Sequence, residues 1–190
     1  MPVKLYYATR DGQSRRVAQR IAGYLGEHGH PVTATDLAEG PPAPDSLAGC
    51  RLVIVVTAVR YGRHLPEADR LLSAYGRCPS SPPLAVASVN LTARKPGKDT
   101  AEGNAYLRKA IRRHRLRPVL ATAIAGRLDY ARYGWLDRQM IRFIMKLTGG
   151  PTDPASCVEF TAWDKVDAFA AAIANVLGRQ RDQAPPQARW

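Results

Sequence analysis

The sequence predicts a doubly wound α/β domain on a five-stranded parallel sheet in the order 2-1-3-4-5. Three observations predict it. Short apolar, β-branched runs alternate with longer stretches of helical period, as βαβ units require. The run Leu52-Val53-Ile54-Val55-Val56 is continuously apolar, as a central parallel strand covered on both faces must be. Five strand candidates and four or five helix candidates follow one another in the order that a doubly wound sheet requires.

Each element follows from its pattern. Strands are expected at 3–8, 31–36, 52–58, 84–90 and 118–125, and helices at 14–27, 65–76, 101–115 and 164–178. In the first helix Val17, Ile21, Tyr24 and Leu25 share one face, with Ser14 placed to cap it. In the last, Val166, Phe169, Ile173, Val176 and Leu177 form a similar stripe. Right-handed crossovers then restrict the topology to very few arrangements. The Pro-rich stretch 41–44 is expected to be a loop, and residues 179–190, rich in Gln, Pro and Arg, a disordered tail. One domain over 1–178 accommodates the chain of 190 residues.

The minimal plan leaves almost forty residues between the fifth strand and the last helix, and loops of that length are usually functional. The insertion, about 127–150, contains a stretch of helical period. Tyr133, Leu136, Met140, Ile144 and Leu147 share one face there, and Arg132, Arg138, Arg142 and Lys146 fall off it. The pattern predicts a basic amphipathic helix over 132–147. Its apolar stripe can lie in a membrane interface or pack on the domain.

Composition narrows the function. Cys50, Cys78 and Cys157 are odd in number and form no CxxC pair, which fits reduced thiols in the cytosol. With four His they show no metal-ligand spacing, so no metal site is expected. The N-terminus opens directly into the first strand, and no apolar run approaches the ~20 residues that span a bilayer. The net charge of +12 is concentrated: residues 94–146 hold fourteen basic residues against four acidic ones. Such a cluster suits an anionic partner.

Three loops carry the chemistry. Thr9-Arg10-Asp11-Gly12-Gln13-Ser14 joins the first strand to the first helix. A tight turn opening a helix offers backbone N–H groups and the positive end of the helix dipole to a phosphate monoester. Gly12 permits the turn, Thr9 and Ser14 add hydroxyls, and Arg10 adds charge. The loop is neither GxxxxGK[ST] nor GxGxxG. Ala58-Val59-Arg60-Tyr61-Gly62 ends the third strand, and Ser88-Val89-Asn90-Leu91-Thr92-Ala93-Arg94-Lys95 ends the fourth. In the 2-1-3-4-5 order all three fall at one sheet edge, beside the switch point between strands one and three where a flavin is expected to sit. Tyr61 is placed either to lie on the flavin ring or to serve as a structural aromatic. His64 and His114 are available, but nothing assigns either an acid or base role, and no catalytic residue is named.

Five strings carry a resemblance: TRDGQS, VRYG, SVNLTARKP, IAG with YARYGWLDRQMIRFIMKLTGG, and TAW. They resemble the bacterial menaquinone-dependent protoporphyrinogen IX dehydrogenase family, flavodoxin-like FMN enzymes of haem biosynthesis, over about residues 3–177. The resemblance implies oxidation of protoporphyrinogen IX to protoporphyrin IX, six electrons leaving two at a time through FMN to a membrane quinone, menaquinone or ubiquinone. It implies that Thr9 to Ser14 hold the FMN phosphate and that the Ser88–Lys95 loop helps enclose the flavin. Asp129 and Gly134 interrupt a stretch that the resemblance leads one to expect more basic.

Porphyrinogen propionates suit Arg and Lys. Arg132, Tyr133, Trp135, Arg138, Arg142 and Lys146 are therefore the candidate substrate or membrane contacts. An anionic membrane surface is the expected partner, on the cytoplasmic face of the inner membrane. Two rivals remain. One is an electron-transfer flavodoxin or general quinone reductase, against which the basic charge counts because typical flavodoxins are acidic. The other is a non-enzymatic module binding anionic partners through 94–117, where Tyr106 alone is available for base stacking, so nucleic acid is not expected.

Overall fold

In the computed structural model the described residues are 1–42, 47, 49–78, 80–129, 139 and 157–182. The apolar run at the centre of the sequence becomes the centre of the sheet. Strand β3 (Leu52–Arg60) lies parallel to β1 (Val3–Ala8) on one side and to β5 (Leu84–Val89) on the other, and Leu52 to Val56 are fully buried. β2 (Ala34–Asp36) and β6 (Leu120–Ile124) flank them, giving β2-β1-β3-β5-β6. Counted among themselves, the parallel strands follow the predicted order.

The sheet has six strands instead of five. β3 runs two residues past its predicted end and turns back into β4 (Arg63–His64), antiparallel to it. Tyr61 (φ 50°) and Gly62 (φ 74°) form the two-residue connection. Positive φ at both central residues gives the turn whose twist matches an antiparallel pair. Proline shortens two other strands. Pro31 and Pro118 have no N–H to give a ladder, and β2 and β6 begin beyond them.

Helices α1 (Gln13–Glu27) and α4 (Trp163–Asp182) cover one face, burying Val17, Ile21, Leu25, Phe169, Ile173 and Leu177 against Leu5, Ile54 and Val56. Helices α2 (Pro66–Arg77) and α3 (Ala105–Arg113) cover the other, burying Leu71, Leu72 and Leu107 against Tyr6, Val53 and Val55. Two helix boundaries differ from expectation by four residues, the start of α3 and the end of α4, and the rest by two at most. Helix α3 starts late, because Thr100 bridges to Thr122 on β6 and accepts from Gly103 N–H, and Asn104 then caps the helix. Helix α4 continues through Asp182, so residues 179–182 are helical instead of the start of a disordered tail. Ser14 does not cap α1; Gly12 occupies that position.

The insertion leaves and returns through a separate two-stranded ribbon, β7 (Arg127–Asp129) antiparallel to β8 (Cys157–Glu159). The amphipathic helix expected at 132–147, with Arg132, Tyr133, Trp135, Arg138, Arg142 and Lys146, lies outside the described residues, Gln139 apart.

Candidate functional site

The parallel sheet aims the ends of β1, β3 and β5 at one edge, and the three predicted loops gather there. After β1, the N–H of Gly12 donates to Thr9 Oγ1 at 3.0 Å, closing the turn. Gly12 has φ 85°, a conformation that side-chain-bearing residues resist. The N–H groups of Gln13, Ser14 and Arg15 then open the helix with no acceptor four residues back. No side chain caps them, and no acidic residue occupies the first turn. Ser14 is 0% exposed, and its Oγ is buried without a hydrogen-bond partner. A buried hydroxyl left unmatched beside open helix amides calls for an anionic acceptor.

The other side chains of this loop are already engaged. Gln13 is buried, and its Nε2 donates to Thr161 Oγ1 (2.8 Å) and Glu159 Oε1 (3.2 Å). Arg10 pairs with Glu67 at 2.6 Å, and Asp11 with Arg60 at 3.4 Å. Burial pushes the Glu67 carboxyl up, but its hydrogen bonds, that of Arg10 included, outweigh this and hold it below the ordinary range. The turn thus offers Ser14 and backbone to an anion, while Arg10 and Gln13 brace the surroundings.

The hairpin after β3 carries Arg60, Tyr61 and Gly62 over the same edge, with Tyr61 64% exposed. At the end of β5, Ser88, Val89 and Asn90 are buried. Asn90 Oδ1 accepts from Ala93 N–H at 3.1 Å and so caps the 3-10 turn Leu91–Arg94. Arg94 donates to Leu91 O at 2.9 Å and lies over the Phe160 ring at 5.6 Å, and Lys95 is exposed. Beside Arg94 a recess of about 190 Å³ opens, lined by Ala123, Ile124, Ala125, Phe160 and the Lys165–Asp99 ion pair.

Two groups that sequence reasoning left without a role complete the site. His64 on β4 is 7% exposed, and its Nε2 lies 2.8 Å from Ser88 Oγ. Asn90 Nδ2 donates to Ser88 Oγ (3.1 Å) and Ser88 O (3.2 Å), and Asn104 Nδ2 donates to Asn90 Oδ1 (3.1 Å). Burial lowers the His64 pKa to about 4. Glu159 on β8 accepts from Arg16 (2.8 Å), Trp163 (2.9 Å) and Gln13, fastening the base of the insertion to the first turn of α1. Burial pushes the Glu159 carboxyl up, but these donors outweigh it and hold it below the ordinary range. The spacing of Gln13 and Glu159 along the chain gave no signal of this contact. For His64 the one available signal was its place two residues beyond the Ala58–Gly62 loop, which by itself assigned it no role.

The Flavodoxin domain family matches residues 4–155. The chain is also similar to solved structures. It matches rubredoxin oxygen:oxidoreductase from Desulfovibrio gigas with a TM-score of 0.57 at 14% identity, over 94% of this chain and 36% of that one. Oxidised flavodoxin 2 from Bacillus cereus matches with a TM-score of 0.53 at 12% identity, over 95% and 99%. At such identities the likeness shows the fold alone. Among curated proteins, protoporphyrinogen IX dehydrogenase (quinone) of Escherichia coli K12 is 36% identical over 181 residues, 94% of this chain and 98% of the relative. The protein of the same name from Leishmania major is 34% identical over 90% of this chain and 73% of its own length. The chain belongs to the flavodoxin-domain family and, within it, to the family of these dehydrogenases.

Proposed function

We propose that the protein oxidises protoporphyrinogen IX to protoporphyrin IX with bound FMN and passes the electrons to a membrane quinone, menaquinone or ubiquinone, in haem biosynthesis. The observation that carries the reading is 36% identity across 94% of the chain to the dehydrogenase of that name. The flavin, when bound, supplies the redox chemistry. The chain's own groups hold and orient. The open amides of α1 and the Ser14 hydroxyl suit the phosphate, and the loops Ala58–Gly62 and Ser88–Lys95 flank the ring position. The recess beside Arg94 pairs apolar wall with cation, the combination that a pyrrole bearing a propionate requires.

Purified protein loaded with FMN is expected to convert protoporphyrinogen to fluorescent porphyrin under anaerobic conditions only when a quinone is added. Porphyrin formation without a quinone dependence, or none from flavin-loaded protein, overturns the reading. A flavodoxin serving only as an electron carrier would give the latter.

We further propose peripheral attachment to anionic lipid at the cytoplasmic face of the inner membrane. Among the described residues no helix is long and apolar enough to cross a membrane. From Gly103 to Leu128 the chain has no acidic residue, and Arg108, Lys109, Arg112, Arg113, Arg115 and Arg117 are all exposed. Each cation near such a surface contributes about 1 kcal/mol, falling off within a Debye length. Co-sedimentation with vesicles containing phosphatidylglycerol, lost in high salt and absent with phosphatidylcholine alone, is the expected result. Equal binding to both vesicle types contradicts it.

A further inference from the structure

The backbone ladder between β3 and β5 ends at the pair Ala58↔Val89. Beyond that pair the two chains become separate loops, the Arg60–Gly62 hairpin and the Asn90–Lys95 turn. In the flavin reading these are the two loops beside the ring. Nothing in the ladder fixes one against the other.

His64 bridges that gap. It sits in β4, opposite Val59, on the returning arm of the hairpin. Its Nε2 reaches Ser88 Oγ, one residue before Val89, at 2.8 Å. Ser88 Oγ accepts from Asn90 Nδ2, and Asn90 Oδ1 accepts from both Ala93 N–H and Asn104 Nδ2. Asn104 in turn caps α3 and donates to Lys98 O, three residues past the end of the third loop. The donors settle the direction of the remaining bond. Asn90 donates to one lone pair of Ser88 Oγ, and among the described residues the hydroxyl proton finds an acceptor only at His64 Nε2, so the fully paired arrangement has a neutral imidazole accepting there.

Four side chains from β4, β5, the third loop and the start of α3 therefore form one chain of hydrogen bonds, and all four are at most 7% exposed. Such buried networks rigidify when every member is satisfied and fail as a unit when one is removed. Rigid loops bind a planar ligand without first being ordered, which raises affinity.

We propose that His64 is a positioning residue for the flavin ring: through Ser88 and Asn90 it locks the β3–β4 hairpin to the Asn90–Lys95 turn and so holds the ring cleft open in its binding geometry. The proposal rests on the flavin reading of the site. His64 touches no reacting atom and moves no proton in the reaction. Its effect is on the ring end of the cofactor and is separate from the phosphate end at Ser14.

That separation provides the test. Dissociation constants for FMN and for riboflavin are measured by fluorescence quenching for the wild type, His64→Leu and His64→Gln. Leu keeps bulk and removes the acceptor, whereas Gln restores an acceptor near the Nε2 position. His64→Leu is expected to weaken both ligands by about tenfold and by the same factor, because losing one buried acceptor strands the Ser88 hydroxyl. His64→Gln is expected to recover most of that loss. Where His64→Leu does not yield folded protein, Ser88→Ala breaks the same link from the other side and is expected to give the same parallel loss.

Unchanged affinities in the Leu variant, a loss for FMN but not riboflavin, or a Gln variant as weak as the Leu variant each overturn the proposal. A wild type that binds neither ligand overturns the flavin reading itself, a different result from a wild type that binds and a variant that binds equally well.

Discussion

Ser14→Ala will make the flavin-free protein more stable and its affinity for FMN lower. The two effects have opposite signs because one hydroxyl causes both. Ser14 Oγ is fully buried and has no hydrogen-bond partner within the described protein. An unsatisfied buried hydroxyl costs about 1–3 kcal/mol, which alanine removes. With a phosphate seated on the α1 amides the same hydroxyl donates to a charged acceptor, a bond contributing about 1.5–3 kcal/mol, or roughly ten- to a hundredfold in affinity. Urea unfolding of the flavin-free proteins and FMN titration measure the two halves. Riboflavin, which has no phosphate, should bind both proteins alike. A destabilised flavin-free variant, or an FMN affinity that does not change, means that the hydroxyl serves packing instead.

Acid will unfold the protein earlier than its carboxylates account for, through His64. Burial holds its pKa at about 4, against about 6.5 for an exposed imidazole; Asp69 on α2 pulls upward, and His114 after α3 pulls downward. The folded state therefore keeps His64 neutral while the unfolded chain takes up a proton. Stability contributed by this group is complete above pH 6.5 and is lost as pH falls toward 4. Over that window the loss is about 3 kcal/mol. The carboxylates held low by partners, Asp99, Asp167, Glu67 and Glu159, keep part of their side chains in solvent and lose their contribution as pH falls through and below the ordinary carboxylate range. Denaturation at pH 7 and at pH 4.5 should thus show a loss in the wild type that His64→Gln lacks. Equal losses in both proteins would assign the acid sensitivity elsewhere.

The parallel framework was legible because its signals are local. The run Leu52–Val56 is short, apolar and rich in β-branched residues, which favours a strand covered on both faces, and the stripes of Val17, Ile21 and Leu25 and of Phe169, Ile173 and Leu177 each have one buried side. The positions of the three loops followed from the strand order. What escaped was tertiary. Tyr61-Gly62 is not a strong turn sequence, so the hairpin and its His64 were not expected. Ser14 has the composition of a helix cap, and only the fold shows Gly12 in that place and the hydroxyl turned inward and unmatched. Glu159 meets Gln13 and Arg16 across more than 140 residues, a contact that no period or spacing encodes.

The most direct measurement is a titration of the flavin-free protein with FMN and with riboflavin, followed by flavin fluorescence. Tight stoichiometric quenching of FMN, with riboflavin bound much more weakly, is the result this structure predicts. FMN and riboflavin bound equally well, or neither bound, would contradict a phosphate grip at the first turn of α1.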